Sequence, residues 1–257
     1  MKASQIAAQL YTVRDFLKTP ADIHVSLKKV AAIGFRAVQV SGMGPIPETE
    51  LASACKDLGL TICSTHEDGA KIVGDPAAVA ARLEKLGCTH TAYPYPKAPI
   101  TTEAEAVALA RSLDAAGRIL RESGITLAYH NHALELRRAG RRTMLDILYD
   151  ETDPRHLEAE LDTYWIQMGG GSPLRWIRKV AGRMQVVHLK DAGVPATETA
   201  ATFCEIGSGN LDWPELIPAL DQGACRWFVI EQDKCPGDPF ASLAQSFQYL
   251  RRLAVDA

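Results

Sequence analysis

The sequence predicts a single α/β domain, an eight-stranded (β/α)8 barrel that covers residues 1–257. Three observations predict it: eight apolar β-like runs, helical periodicity between them, and no linker or shift in composition along the chain. A length of 257 residues suits such a barrel, and 47% hydrophobic residues can fill a large core. A doubly wound open sheet is the rival fold, but the GxGxxG turn expected after its first strand is absent.

Each predicted strand is a short run of apolar or β-branched residues. The runs are 4–10, 35–41, 60–65, 88–93, 125–130, 157–162, 184–189 and 226–231. Their ends follow one another at the spacing expected when each strand, loop and helix forms one unit.

The predicted helices lie between these runs, and several begin at a Thr, Asp or Pro that favours a helix start. They are 21–33, 48–58, 77–86, 103–122, 142–149, 173–181, 213–220 and 238–254. Four helices end at a glycine that opens the next strand, namely Gly34, Gly59, Gly87 and Gly124. Glycine favours the left-handed conformation through which a helix turns back into a parallel strand.

Charge and cysteine content exclude several classes of protein. The net charge is −3, and the one cluster of arginines, at 137–142, is typical of a solvated turn. We therefore expect no nucleic acid partner. The six cysteines form no CxxC pair, which indicates a reducing compartment and no structural zinc. Without an apolar run of about 18 residues or a signal sequence, the chain is expected to be cytoplasmic, with no membrane partner.

Acidic and histidine side chains recur at the ends of the fifth to eighth predicted strands. They lie in four segments, His130-Asn131-His132…Glu135, Glu160-Leu161-Asp162, His188-Leu189-Lys190-Asp191 and Glu231-Gln232-Asp233. Because the C-terminal ends of barrel strands meet at one mouth, we expect these side chains to converge. Carboxylates and imidazoles without thiolates predict a site for Mn²⁺, Mg²⁺, Co²⁺ or Zn²⁺.

Five motifs occur along almost the whole chain. They are AQLYTVRD at 8–15, YHNH at 129–132, LDTYW at 161–165, VHLKD at 187–191 and GSGNLDW at 207–213. Together they resemble the sugar phosphate isomerase/epimerase family, which has a xylose isomerase-like TIM barrel. The resemblance implies one divalent metal ion, held by a Glu, an Asp, a His and a second Glu from four consecutive strands.

On this chain Asp162, His188 and Glu231 fall at the last three of those ligand positions. The first position departs from the family pattern, because many members have Glu-Asn-His where this chain has HNH at 130–132. The first ligand is then either His130 or Glu135. We predict Glu135, because three carboxylates and one imidazole suit Mn²⁺ or Mg²⁺, with Mn²⁺ as the expected ion.

The resemblance implies a metal-dependent isomerase or epimerase that acts through an enediolate on a keto- or aldo-sugar or its phosphate. The same enolate can expel a β-leaving group, so a lyase or dehydratase of a keto-sugar, keto-glycoside or inosose is the alternative. A second alternative is a sugar-binding barrel without catalysis. The expected partner is a small carbohydrate, and barrels of this type often form homo-oligomers.

Roles for individual residues follow from the same resemblance. Glu231 and one of His130, His132 or Glu135 are expected to move the proton. Lys190 is expected to bind a substrate oxygen or to stabilise an oxyanion. Position at the strand ends or at the rim, together with the aromatic face of Trp165, gives the candidate substrate-binding residues Gln39, His66, Trp165 and Glu205.

Overall fold

The computed structural model describes residues 1–223 and 225–255. Eight parallel strands form its central sheet: β1 (Ile6–Gln9), β2 (Ala37–Val40), β3 (Thr61–His66), β4 (His90–Tyr93), β5 (Thr126–His130), β6 (Glu158–Glu160), β7 (Val186–Leu189) and β8 (Trp227–Ile230). Their order in the sheet is β6-β5-β4-β3-β2-β1-β8-β7. Between β6 and β7 the backbones meet at one isolated parallel bridge, Asp162 to His188, which nearly closes the barrel. The predicted eight-stranded barrel is confirmed.

The helices surround this barrel. In the described part of the chain they are α1 (Pro20–Ile33), α2 (Glu48–Asp57), α3 (Gly69–Gly74), α4 (Pro76–Leu86), α5 (Glu103–Glu122), α6 (Met144–Asp150), α7 (Thr163–Met168), α8 (Pro173–Lys179), α9 (Trp213–Gln222) and α10 (Pro239–Leu253). The eight predicted helices are all present. Helices α3 and α7 were not predicted, because six residues are too few to show a helical period.

The glycines predicted to end helices do so with positive φ. Gly87 is an example: its φ is 65°, and its N–H donates to the carbonyl of Glu84 as α4 ends. The chain then turns directly into β4. Gly34, Gly59 and Gly124 also have positive φ at the equivalent turns.

The inside of the barrel is apolar at the bottom and polar towards the mouth. The small apolar cluster at the bottom contains Ala7, Ala37, Cys63, Val186 and Val229. Because side chains alternate along a strand, the residues two positions further on point inward as well. Four of these positions hold Gln9, Gln39, His188 and Glu231, which are all buried. A second, larger apolar cluster lies between the sheet and the helices.

The rim of the mouth is built from the loops that follow the strands. A 3-10 segment, Leu10–Phe16, follows β1. A hairpin of Arg138–Ala139 and Arg142–Thr143 follows β5, and a second hairpin of Asp191–Gly193 and Thr202–Cys204 follows β7. Among the described residues, none of the helices has both the length and the apolar character required to span a bilayer.

Candidate metal centre and active site

Six titratable side chains converge inside the mouth of the barrel. They are His66, His130, Glu160, Asp162, His188 and Glu231. The side chain of His66 is 8% exposed, and the other five are still more deeply buried. Burial of three carboxylates in one place requires positive charge or hydrogen-bond donors nearby.

The cluster contains two overlapping groups with metal-ligand geometry. One group is His130, Asp162, His188 and Glu231, and the other is His66, His130, Glu160 and His188. In each group the four ligand atoms lie within 4.8 Å of one another. The structure therefore brings together the predicted residues Asp162, His188 and Glu231, with His130 as the fourth member.

Glu135 lies outside both groups. It belongs to the 3-10 turn Leu134–Leu136, beyond the end of β5, where Tyr129 Oη donates to its Oε1 at 2.7 Å. The backbone N–H of His132 donates to its Oε2 at 2.7 Å. Both carboxylate oxygens are thus engaged below the rim, and burial raises the pKa of this carboxyl. The structure places His130, rather than the predicted Glu135, beside the other three candidate ligands.

His188 lies at the centre of the cluster. Its Nδ1 is 2.7 Å from Glu231 Oε2, and its Nε2 is 3.1 Å from Glu160 Oε1 and 2.5 Å from Gln39 Oε1. Burial alone would lower the pKa of His188, but the carboxylates of Glu160 and Glu231 raise it to about 10. In this arrangement the ring carries a positive charge at neutral pH, and a metal ion would replace its Nδ1 proton.

Lys190 brings a second positive charge to the cluster. Its Nζ lies 2.8 Å from Glu231 Oε2, 3.0 Å from Asp162 Oδ2 and 3.1 Å from Asp233 Oδ1. Burial opposes the charge, but the three carboxylates raise the pKa of Lys190 above its ordinary value. Burial, followed by the charge of Glu231, raises the pKa of Asp233 to about 6. Lys190 therefore remains an ammonium beside the candidate ligands.

The histidines of the YHNH motif are neutral. Burial lowers the pKa of His130 well below its usual range, and it lowers that of His132 to about 3. The Nδ1 atom of each ring is buried without a close hydrogen-bond partner in the described structure, whereas Asp162 Oδ2 is paired with the Lys190 ammonium at 3.0 Å. Carboxylates and neutral imidazoles whose ligand atoms lie close together in a buried cluster are what a metal site offers, so these residues fit a divalent cation.

A cavity of about 570 Å³ opens above the cluster. His66, His132, Lys190 and Glu231 line it, as do Tyr11 and Arg14 from the loop after β1. A small sugar fits a cavity of this size.

The four predicted substrate-binding residues take different places. His66 lines the mouth cavity, and Gln39 lies beneath it with its side chain bonded to Glu160. The ring of Trp165 packs 5.3 Å from that of His132. Glu205 accepts a hydrogen bond from Ser242 and lines a separate cavity behind the hairpin after β7. The structure thus does not bring Glu205 to the cluster at the barrel mouth.

Glu160 and Asp191 belong to the predicted strand-end segments but received no role from the sequence. Glu160 is fully buried at the centre of the cluster. The sequence does contain a signal for Glu160, because it lies two residues before Asp162. Side chains alternate along a strand, so the side chains of these two residues point to the same face. The carboxylate of Asp191 binds the GSGNLDW motif through backbone N–H groups of Gly207, Gly209 and Leu211 and through Trp213 Nε1. Asp191 therefore positions a loop and is not part of the cluster.

Comparison with known proteins agrees with this architecture. Residues 27–253 match the model of the xylose isomerase-like TIM barrel family. Inosose dehydratase from Geobacillus thermodenitrificans (strain NG80-2) is 29% identical over 175 residues, which are 61% of this chain and 57% of that protein. The chain thus spans less than two thirds of the length of the curated relatives that it matches first.

Two crystal structures of sugar phosphate isomerase/epimerase proteins from Parabacteroides distasonis ATCC 8503 have the same fold. The first has a TM-score of 0.82 at 21% identity, over 98% of this chain and 94% of that one. The second has a TM-score of 0.81 at 24% identity, over 95% of this chain and 96% of that one. Identity at this level establishes the barrel alone.

Proposed function

We propose that this chain, which belongs to the xylose isomerase-like TIM barrel family, is a divalent-metal-dependent carbohydrate enzyme. One observation carries the proposal: His130, Asp162, His188 and Glu231 each offer a ligand atom within 4.8 Å of the others. Two imidazoles and two carboxylates suit Mn²⁺, Co²⁺ or Zn²⁺ better than Mg²⁺, which prefers oxygen ligands. Mn²⁺ is the ion that we propose.

A divalent cation held by these four residues would polarise a sugar carbonyl and make the neighbouring C–H acidic. Glu231 and His132 line the mouth cavity, and we propose them as the groups that accept and return the proton. The ring of His132 is uncharged, so one of its nitrogens has a lone pair that can accept a proton. The charged Nζ of Lys190 lines the same cavity and would stabilise the developing oxyanion.

Removal of the proton next to the carbonyl would give an enediolate, from which two reactions can follow. Return of the proton to the neighbouring carbon gives an isomerase, and its return to the same carbon from the opposite face gives an epimerase, for a keto- or aldo-sugar or its phosphate. Loss of a β-substituent gives a lyase or dehydratase for a keto-sugar, keto-glycoside or inosose. The inosose dehydratase relatives favour the second reaction as strongly as the isomerase resemblance favours the first.

Deuterium exchange separates these reactions. Metal-loaded protein is incubated with ketoses, keto-glycosides and inososes in D₂O, and the products are analysed by NMR. Deuterium at the α carbon with the carbon skeleton otherwise unchanged indicates isomerisation or epimerisation, whereas loss of a β-substituent indicates elimination. If protein that binds Mn²⁺ gives neither result with any substrate in the panel, the enzymatic proposal fails.

A further inference from the structure

The cluster inside the barrel mouth contains three carboxylates, and Glu160 is the one to which the proposed mechanism gives no part. Its side chain is fully buried and does not line the mouth cavity, so a substrate does not reach it. A carboxylate is costly to bury unless several donors surround it. Its surroundings therefore indicate what it does.

Both oxygens of Glu160 face nitrogen atoms of neighbouring side chains. Oε1 lies 2.6 Å from His66 Nε2, 3.1 Å from His188 Nε2 and 3.5 Å from His130 Nδ1. Oε2 accepts a hydrogen bond of 2.9 Å from Gln39 Nε2. One carboxylate thus contacts three imidazole rings, two of which belong to the proposed metal ligands.

The two shared rings each present one nitrogen to Glu160 and the other to the remaining ligands. His188 turns Nε2 towards Glu160 and Nδ1 towards Glu231, which is 2.7 Å away. His130 turns Nδ1 towards Glu160 and Nε2 towards Asp162, at 3.9 Å. If the nitrogen that faces Glu160 carries the proton, the opposite nitrogen has a lone pair for a cation.

Gln39 fixes this choice for His188. Because Gln39 Nε2 donates to Glu160, the amide oxygen of Gln39 is the atom that faces His188 Nε2, at 2.5 Å. The orientation is supported by Gln9 Nε2, which donates to the same amide oxygen at 3.0 Å. His188 Nε2 therefore faces two acceptors, Glu160 and Gln39, and must carry a hydrogen.

We propose that Glu160 is a positioning residue that accepts from the N–H of His188 Nε2 and faces His130 Nδ1 at 3.5 Å, so that His188 Nδ1 and His130 Nε2 are turned towards the cation. The inference rests on the metal site proposed above. Carboxylates commonly orient metal-binding histidines in this way, and their removal weakens metal binding by about 10- to 100-fold. The proposal assigns the cation to the group of His130, Asp162, His188 and Glu231, with Glu160 as an acceptor behind two of those side chains.

Competition with a fluorescent chelator, applied to the full chain, measures the Kd for Mn²⁺ in wild type, Glu160→Gln and Glu135→Gln. We expect Glu160→Gln to raise the Kd about 10- to 100-fold. Glu135→Gln is the matched control, since Glu135 is also a buried carboxylate near the mouth but contacts none of the four ligands, and its Kd should stay at the wild-type value. Glu160→Asp should recover part of the affinity, because it keeps an acceptor.

Long-range ¹H–¹⁵N NMR of the Zn²⁺-loaded wild type gives a readout that does not depend on any variant. We expect the proton on Nε2 of His188 and on Nδ1 of His130. The opposite tautomers, an unchanged Kd in folded Glu160→Gln, or a loss of binding as complete as in Asp162→Ala would each overturn the role of Glu160. If the wild type binds no divalent cation, the metal site itself is wrong, which is a distinguishable result.

Discussion

Lys190 and the candidate metal ligands share the same carboxylates. The ammonium lies within 3.0 Å of both Asp162 Oδ2 and Glu231 Oε2. A divalent cation bound by these two residues would therefore lie close to a fixed positive charge in a buried site. Like charges at such separations repel strongly where water is excluded. The affinity for the metal ion is the balance of this repulsion and the attraction of the carboxylates.

Replacing Lys190 by Met should therefore strengthen Mn²⁺ binding, by roughly tenfold or more, because the repulsion disappears. Turnover should fall about 100-fold or more, because the oxyanion loses its partner. Calorimetric titration gives the first value, and steady-state kinetics gives the second. Lys234→Met is the control, since Lys234 lines the same cavity but has no carboxylate within 4.0 Å among the described residues. Weaker Mn²⁺ binding in Lys190→Met would contradict this account.

His132 is the second residue whose role can be isolated. Its contact with Glu135 is made by the backbone N–H, so a change of side chain leaves that contact in place. We expect His132→Asn to lower kcat about 10²- to 10⁴-fold, as for loss of a general base, without changing the Kd for Mn²⁺. Rate measurements at saturating substrate test this expectation. A kcat close to that of the wild type would remove His132 from the mechanism.

At the scale of elements, the loops after the strands are held by buried or capping carboxylates. The carboxylate of Asp191 accepts hydrogen bonds of 2.7 to 3.2 Å from the 207–213 loop, three of them from backbone N–H groups. The donors converge because Gly209 lets the chain approach Asp191, and a Cβ there would lie 2.3 Å from its Oδ1. The GSGNLDW motif is thus a loop built around one carboxylate.

Asp191→Asn should destabilise the protein by about 2 to 3 kcal/mol. The N–H groups of the loop would lose a charged acceptor, and some of them would face the NH₂ group of the new amide, which cannot accept a hydrogen bond. Urea denaturation measures the loss, and hydrogen exchange should accelerate at the amides of Gly207, Gly209 and Leu211. Asp212→Asn is the control in the same loop: Asp212 caps α9, and Asn caps a helix equally well. Equal stability of the two variants would refute the role of Asp191.

The start of α5 gives an expectation for pH. The Glu105 carboxylate accepts hydrogen bonds from the backbone N–H groups of Thr101 and Thr102 and from the Thr101 hydroxyl, and these donors lower its pKa to about 2. The stabilisation that these hydrogen bonds give the folded protein is complete above the ordinary pKa of Glu, and it is lost as the pH falls towards 2. The Tm difference between wild type and Glu105→Gln should therefore be larger at pH 7 than at pH 3.5. A difference independent of pH would contradict the pKa shift.

At the scale of the whole molecule, local signals predicted the barrel well. Helices such as α4, which lies between an Asp75-Pro76 start and Gly87, are specified by caps that the sequence shows directly. The short helices α3 and α7 carry no period, so their existence depends on tertiary packing. Helix α7 begins at Asp162, whose Oδ1 accepts from the N–H of Trp165, and this carboxylate thus caps a helix and faces the cluster.

The site was predictable to a different extent. Strand-end position predicted that the four polar segments converge, and the family resemblance singled out Asp162, His188 and Glu231, but neither could choose between His130 and Glu135. The two candidates differ in where their side chains point. Strand β5 ends at His130, whose ring lies inside the barrel, whereas Glu135 lies beyond the strand and accepts a hydrogen bond from Tyr129 Oη. A hydrogen bond between two side chains, such as this one, produces no periodic pattern in the sequence.

The proposed ligands also lie across the seam of the barrel. Asp162 follows β6 and His188 belongs to β7, and their isolated bridge joins the two strands that complete the ring. A cation bound by both side chains would fasten the seam from the inside. Because a ligand that binds only the folded state stabilises it, Mn²⁺ binding is expected to raise the Tm of the whole molecule.

The central claim is that His130, Asp162, His188 and Glu231 hold one divalent cation. Calorimetric titration of Mn²⁺ into metal-free protein tests it most directly, with wild type and Asp162→Ala compared in the same buffer. We expect about one equivalent bound by the wild type, and an affinity at least about 100-fold weaker in the folded variant. No binding of Mn²⁺ by the wild type, or equal binding by Asp162→Ala, would contradict the account.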